Sequence, residues 1–375
     1  MTPPLRCIGH SRCTWRRRLQ LSAISAVSTG LIGPLARDQR PMQATGRIPG
    51  LWSLSPGAGA RCAGGADGRE LIVMDEIVVG VDAAWRRAGA LDWALREAGR
   101  RRMPLRAVHV MDDRRALVAP VRIDGQVIMA SPIPKVDRRV VDEVEEYLAA
   151  VGQGLELDAD VVIGAPDRRL ADLSTDAGLT VVGRRGVGGF TRLLIGSTSE
   201  YVVHHGDGPI VVVPEGWQRD RHAHAPVVVG LDSDDENVAA LEFAFEMAAL
   251  HGAPLWMVLA WDIPAAYTWD IASAGELRED WEHLAQDRLD SIADQWQHKY
   301  PDVHLLRKLR QSHAAATLLD TAESTSAQLI VLGGRRHRLP ALMLGSVARG
   351  VLHHATVPVA VVHERPAPGR ARPTT

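Results

Sequence analysis

The run Ile77-Val78-Val79-Gly80-Val81-Asp82 returns 150 positions later as Val227-Val228-Val229-Gly230-Leu231-Asp232. Further on, Leu194-Ile195-Gly196-Ser197 is matched by Met343-Leu344-Gly345-Ser346 at a spacing of 149, and each copy is followed by a His pair and a valine-rich run. A period of this length is that of a whole domain, so the chain must fold as two like units in tandem and not as a solenoid of short repeats. Two domains of about 140 residues fit within 375 and leave an excess at the front.

That excess, residues 1–73, differs in kind from the rest. It holds ten arginines against Asp38, Asp67 and Glu70, and all three cysteines, Cys7, Cys13 and Cys62. The paired domains are therefore mildly acidic, which speaks against a nucleic-acid surface, and they contain no thiol chemistry. Arg16-Arg17-Arg18 before the stretch Leu19 to Ala36 has the order of a twin-arginine export signal. The stretch is broken by Ser22, Ser25, Ser28, Thr29, Gly30, Gly33 and Pro34, however, and lacks a clear small-x-small cleavage site. The leader reads as a flexible segment from a start codon assigned too far upstream. No uninterrupted apolar run of about 18 residues is present to span a membrane, and a cytoplasmic location is expected.

Within each repeat, strand and helix signals alternate in the rhythm of a doubly wound α/β sheet. Strands are predicted at 76–81, 105–111, 158–163, 179–183 and 209–213, mostly continuous β-branched runs suited to parallel strands buried on both faces. Between the first two, 84–102 reads as one helix with Ala88, Leu91, Leu95 and Ala98 inward and Arg86, Arg87, Arg96 and Arg100 toward water. Val238, Leu241, Ala244 and Ala248 repeat the stripe. The predicted architecture is two tandem α/β domains with five-stranded parallel sheets, at 74–214 and 226–365, joined by a charged, His-rich linker at 215–225 and ending in a loose Pro-containing tail at 366–375.

Chemistry concentrates after the fourth strand of repeat one, where Gly183-Arg184-Arg185-Gly186 is followed nine residues later by Gly196-Ser197. Glycines at 183 and 186 let backbone amides approach an anion. Gly196-Ser197 opens the next helix, whose unpaired N–H groups and positive dipole end serve the same purpose, with Ser197 adding a hydroxyl donor or an N-cap. Arg184 and Arg185 read equally as phosphate-steering groups and as a solvated loop face. Asp82 ends the first strand on the carboxyl edge of the sheet, where open α/β folds bind ligands, and can accept from an adenine amine or a ribose hydroxyl.

The spacing G-x2-G-x9-G-[ST], the opening V-G-V-D and the second strand Val108-His109-Val110 together closely resemble the universal stress protein family over residues 74–365. The resemblance implies a Rossmann-like domain of the adenine nucleotide alpha hydrolase type that binds ATP or a related adenine nucleotide, with domains paired through the last strand. It implies that Asp82 and Val110 line the adenosine side, and that Gly183, Gly186, Gly196 and Ser197 hold ribose and phosphates. The surviving counterparts in repeat two are Asp232, Gly333, Gly345 and Ser346.

Repeat two departs from the pattern. Arg336 answers Gly186, only eight residues then precede Gly345, and Pro340 enters the loop. A Cβ where close backbone approach is needed weakens a phosphate site, although Arg335, Arg336 and Arg338 could pair with phosphates directly. The residues leave open whether repeat two binds nucleotide; where it does, it is expected to be the weaker site. Asp232-Ser233-Asp234-Asp235-Glu236 could hold Mg²⁺ beside a nucleotide, but reads first as a strand end and an acidic helix start. His204-His205 and His353-His354 suit helix C-termini better than a metal, because neighbours on a helix point about 100° apart. Trp261, Tyr267 and Trp269, in the variable insert, suit packing between domains better than a cover over the second cleft.

No P-loop, G-x-S-x-G, H-E-x-x-H or G-x-G-x-x-G pattern occurs in the chain. The expected role is accordingly non-enzymatic: a stress-response regulator whose ATP occupancy sets the conformation of the domain pair and its contacts with a regulatory protein. Slow ATP hydrolysis or phosphate transfer to Ser197, and a nucleotide-free interaction module, are the alternatives. Two repeats can complete each other as a pseudo-dimer within one chain and still leave a surface for a homodimer.

Overall fold

The computed structural model describes residues 76–112, 119–123, 126–130, 137–152, 154–186, 194–218, 224–232, 237–262, 274–334 and 345–363. Repeat one contributes strands β1 (Ile77–Val81), β2 (Leu105–Met111), β5 (Leu157–Ile163), β6 (Leu179–Gly183) and β7 (Pro209–Val213). Repeat two contributes β8 (Val227–Leu231), β9 (Leu255–Trp261), β10 (Leu305–Gln311), β11 (Leu329–Gly334) and β12 (Val359–His363). Within each repeat the five strands are parallel. The two halves are then joined antiparallel through β7 and β12, with Val212 opposite Val359 and Ile210 opposite Val361. The result is one ten-stranded sheet in the order β10-β9-β8-β11-β12-β7-β6-β1-β2-β5. Joining the halves covers an edge of each sheet that would otherwise expose unpaired backbone groups.

Helices lie on both faces. One face carries α1 (Trp85–Ala88), α2 (Ala90–Arg101), α3 (Arg139–Val151), α6 (Val238–His251) and α7 (Ala274–Lys299). The other carries α4 (Pro166–Ser174), α5 (Ser197–His205), α8 (Ala314–Ser324) and α9 (Ser346–His354). Because β-branched strand residues such as Val78 and Val79 alternate between faces, most strands feed both cores, and each core runs across both repeats. Outside the main sheet, β3 (Ala119–Ile123) and β4 (Gln126–Ala130) form an antiparallel hairpin within the repeat-one insert.

Four expectations change. The helix expected over 84–102 is broken at Gly89, which adopts φ 68° between α1 and α2. A side chain at Gly89 would come within 3.0 Å of Trp217 Cβ, so the glycine serves both the left-handed turn and the close approach. Trp217 lies in the stretch read as a linker, yet it is buried, and Gly216 N–H donates to the Arg87 carbonyl. Arg96, expected in water, is also buried, with its guanidinium 4.8 Å from the Trp217 ring centre. Val238, expected inside, is exposed, while Leu241, Ala244 and Ala248 are buried as the stripe requires. The first three share a cause: α2 is covered by the sheet on one side and by α6 and Trp217 on others, a crowding that helical periodicity does not report.

The α2–α6 seam holds a buried polar chain. Glu97 Oε1 accepts from Arg101 Nε at 2.7 Å, and Glu97 Oε2 lies 2.9 Å from His251 Nε2. His251 Nδ1 lies 2.7 Å from Gln328 Oε1, while Gln328 Nε2 donates to the Ala225 carbonyl. Both ring nitrogens thus face side-chain oxygens. Burial pushes the Glu97 carboxyl up, but the His251 hydrogen bond and the charges of Arg101 and His251 outweigh it and hold the group at about 2. A carboxyl held below its unfolded value of 4.5 adds stability above that pH and loses it as pH falls toward 2. This contribution is on the order of 3 kcal/mol. Denaturant titrations between pH 7 and pH 3 are expected to show the stability gap between wild type and Glu97→Gln narrowing with acid.

Candidate functional site

In each half the strand order reverses between the first and fourth strands, β1 and β6 or β8 and β11. Crossovers leave that point in opposite directions, so a crevice opens at the carboxyl edge. In repeat one that edge carries Asp82, just after the end of β1, and the turn after β6. Asp82 Oδ1 accepts from Ala84 N–H at 2.9 Å. A Cβ on Gly186 would lie 2.2 Å from Asp82 Oδ2, so any side chain there would have to displace the carboxylate from where the loop crosses it. Gly196 N–H donates to the Arg184 carbonyl at 2.8 Å, and Ser199 Oγ donates to the Gly183 carbonyl at 2.6 Å. Val110 is buried on β2, in the core on the α4–α5 face.

Ser197 is the first residue of α5 and is exposed, whereas Gly196 occupies the N-cap position with no side-chain cap. Ser197 is therefore not the N-cap of α5. Arg184 is brought to the loop by its backbone only: Nη1 donates to the Ala355 carbonyl of repeat two at 2.7 Å. Its side chain is committed to the seam between the repeats. Sequence reasoning missed Ser199, which ties the helix start to the loop; nothing in residue type or period distinguishes it from Ser197.

In repeat two the same edge encloses a cavity of about 320 Å³. Asp232, Gly333, Gly345 and Ser346 all line it, beside an aliphatic wall that includes Val258, Ala260 and Leu318. Ala260 stands where repeat one has Val110, and the smaller side chain leaves more room. A Cβ on Gly345 would meet nothing within 4 Å, and one on Gly333 would collide with the Asn237 side chain at 2.5 Å. Asn237 was also missed. Its Oδ1 caps α6 by accepting from Ala240 N–H at 2.9 Å, and its side chain lines the cavity. An Asn just before an apolar helical period is a signal that could have found it.

Arg335, Arg336, Arg338 and Pro340 lie outside the described residues, as do Ser233 to Glu236, Tyr267 and Trp269. Trp261 is buried at the end of β9. Among the described residues no cluster of three or more His, Cys, Asp or Glu could hold a metal. No described helix is long and apolar enough to cross a membrane. The His pairs close α5 and α9. His205 stacks on Tyr201 at 3.8 Å, and burial is the main cause lowering the pKa of His204 and of His353.

A doubled open α/β domain with its motif residues gathered at each switch point defines the class of protein to which this fold belongs. The model of the universal stress protein family matches residues 74–214 and again 224–363. The chain belongs to that family. A universal stress protein of Mycolicibacterium smegmatis is 32% identical over 302 residues, covering 77% of this chain and 97% of the relative. Universal stress protein Rv1996 of Mycobacterium tuberculosis is 32% identical over 310 residues, covering 76% and 94%. Among solved structures, a functionally unknown protein of Pseudomonas aeruginosa aligns with a TM-score of 0.56 at 13% identity, over 77% of this chain and 92% of that one. A universal stress protein from Archaeoglobus fulgidus aligns at 0.50 and 17% identity, over 77% and 98%. These two likenesses speak to the fold alone.

Proposed function

We propose that the chain binds adenine nucleotide, ATP foremost, at the switch-point crevices of its two repeats, and that occupancy regulates how the domain pair meets a protein partner in a stress response. The observation that carries this reading is the repeat-two cavity, where Asp232 and two motif glycines meet the N-terminus of α9 around about 320 Å³. That volume lies at the lower end for small-molecule sites. It suits a nucleoside in the aliphatic recess, with phosphates at the mouth near Gly345 and Ser346. A helix N-terminus favours an anion there. The role is binding and not turnover, and Mg²⁺, where it takes part, would enter with the phosphates.

Denaturing release of co-purified ligand from the full chain, with mass identification and counting per chain, tests the reading. Between one and two adenine nucleotides per chain are expected. Added ATP at a hundredfold excess over Kd is expected to raise stability by about 2.7 kcal/mol. No adenine released and no thermal shift with ATP would sink the proposal in favour of an interaction module that kept the fold. Steady ATP hydrolysis by rigorously purified protein, abolished by Ser197→Ala, would replace regulation by occupancy with catalysis.

A further inference from the structure

We propose that Arg184 couples the ligand loop of repeat one to the crevice of repeat two; this rests on reading both crevices as nucleotide sites. The backbone of Arg184 belongs to the first site. Its N–H donates to the Val213 carbonyl at 2.7 Å, and its carbonyl accepts from the Gly196 N-cap at 2.8 Å. Its side chain belongs to the second, because the guanidinium donates to Ala355, the C-cap of α9, at 2.7 Å. At the other end of the same nine-residue helix, Gly345 and Ser346 line the repeat-two cavity. One side chain and one short helix therefore connect the phosphate-side loop of one crevice to the wall of the other.

The link is poised to respond to ligand. Burial, reinforced by Arg185 and opposed by Glu215, lowers the Arg184 pKa, and its Nε has no hydrogen-bond partner among the described residues. The side chain is thus held at the seam by its bond to a neutral carbonyl. Charge-assisted bonds from Arg to phosphate are roughly twice as strong as neutral ones. Phosphate arriving at the α5 N-terminus competes for the residue that tethers α9.

The pseudo-symmetry of the repeats is broken at this point. The position answering Arg184 is Gly334, where a Cβ would fall 2.2 Å from His363 Nδ1. His363 in turn answers Val213, and its Nε2 lies 2.7 Å from the Val203 carbonyl. With an Arg349–Glu200 pair at 3.4 Å, these contacts tie α5 to α9 and β12. Among the described residues the arginine tether itself is made from repeat one only. Coupling is nonetheless reciprocal in free energy, so each site reads the other.

Hydrogen exchange at amides 351–355 of the full chain, with and without saturating Mg-ATP, tests the coupling. In wild type, ATP is expected to change exchange there by about fivefold or more. In Arg184→Met, which loses a phosphate partner and is brought to saturation at whatever higher ATP concentration calorimetry shows it needs, the response is expected to vanish, and Arg184→Lys, which keeps a donor of similar reach, is expected to restore part of it. A response in Arg184→Met equal to that of wild type, with ATP bound, overturns the coupling and leaves the nucleotide reading intact. Absence of ATP binding in wild type overturns the nucleotide reading and the coupling with it.

Discussion

Replacing Glu97 by alanine is expected to destabilise the protein by about 3–5 kcal/mol, the usual cost of removing one partner from a buried ion pair. Both side chains of the Glu97–His251 pair are fully buried, and each comes from a different repeat. With the carboxylate gone, His251 keeps a ring nitrogen facing a void, and the partly buried Arg101 loses its counter-charge. A buried polar group left unpaired bears its full desolvation cost. Denaturant midpoints measured at pH 7 would show the loss, and they should also separate Glu97→Ala from Glu97→Gln. The amide keeps the shape and one acceptor, so it should cost less. A loss below about 1 kcal/mol for Glu97→Ala would mean that water or a neighbour replaces the carboxylate freely.

Gly345→Trp is expected to abolish ligand binding in repeat two, by a factor of at least about 100, with little effect on folding; 100-fold is about 2.7 kcal/mol. The distinction rests on local space. A side chain at Gly345 would meet no atom within 4 Å, and the residue has φ −55° and ψ 151°, which any residue adopts. An indole there projects beside the cavity that Gly345 lines and competes for its volume. Gly333→Val would block the same cleft but would also clash with Asn237, mixing loss of fold with loss of site. Calorimetric titration with ATP against unchanged thermal unfolding would check the effect. Full retention of two sites in Gly345→Trp would place the ligand elsewhere.

Much of this architecture is legible in the residues because it is local or repeated. Continuous β-branched runs place β1, β2, β6 and β7 to within a residue of their observed ends. The paired motifs place Asp82 with Gly186, and Asp232 with Gly333 and Gly345, at the same edge of each half. Asn237 carried a signal of its own, a capping residue before an apolar period. The shortened second loop argued for a poorer site, and its arginines lie outside the described residues; yet the crevice is open there, partly because Ala260 replaces Val110.

What the amino-acid sequence determined by itself was the duplication, the α/β class and the residues gathered at each switch point, since these follow from period, side-chain shape and the backbone freedom of glycine. Tertiary structure alone decided the break at Gly89, the burial of Arg96 and Trp217, the Glu97–His251 bond and the commitment of Arg184 to α9. Each of these joins groups distant in the chain or packed by a third element. Their energies depend on desolvation and on neighbours brought together by the fold, quantities that no local pattern of residues encodes.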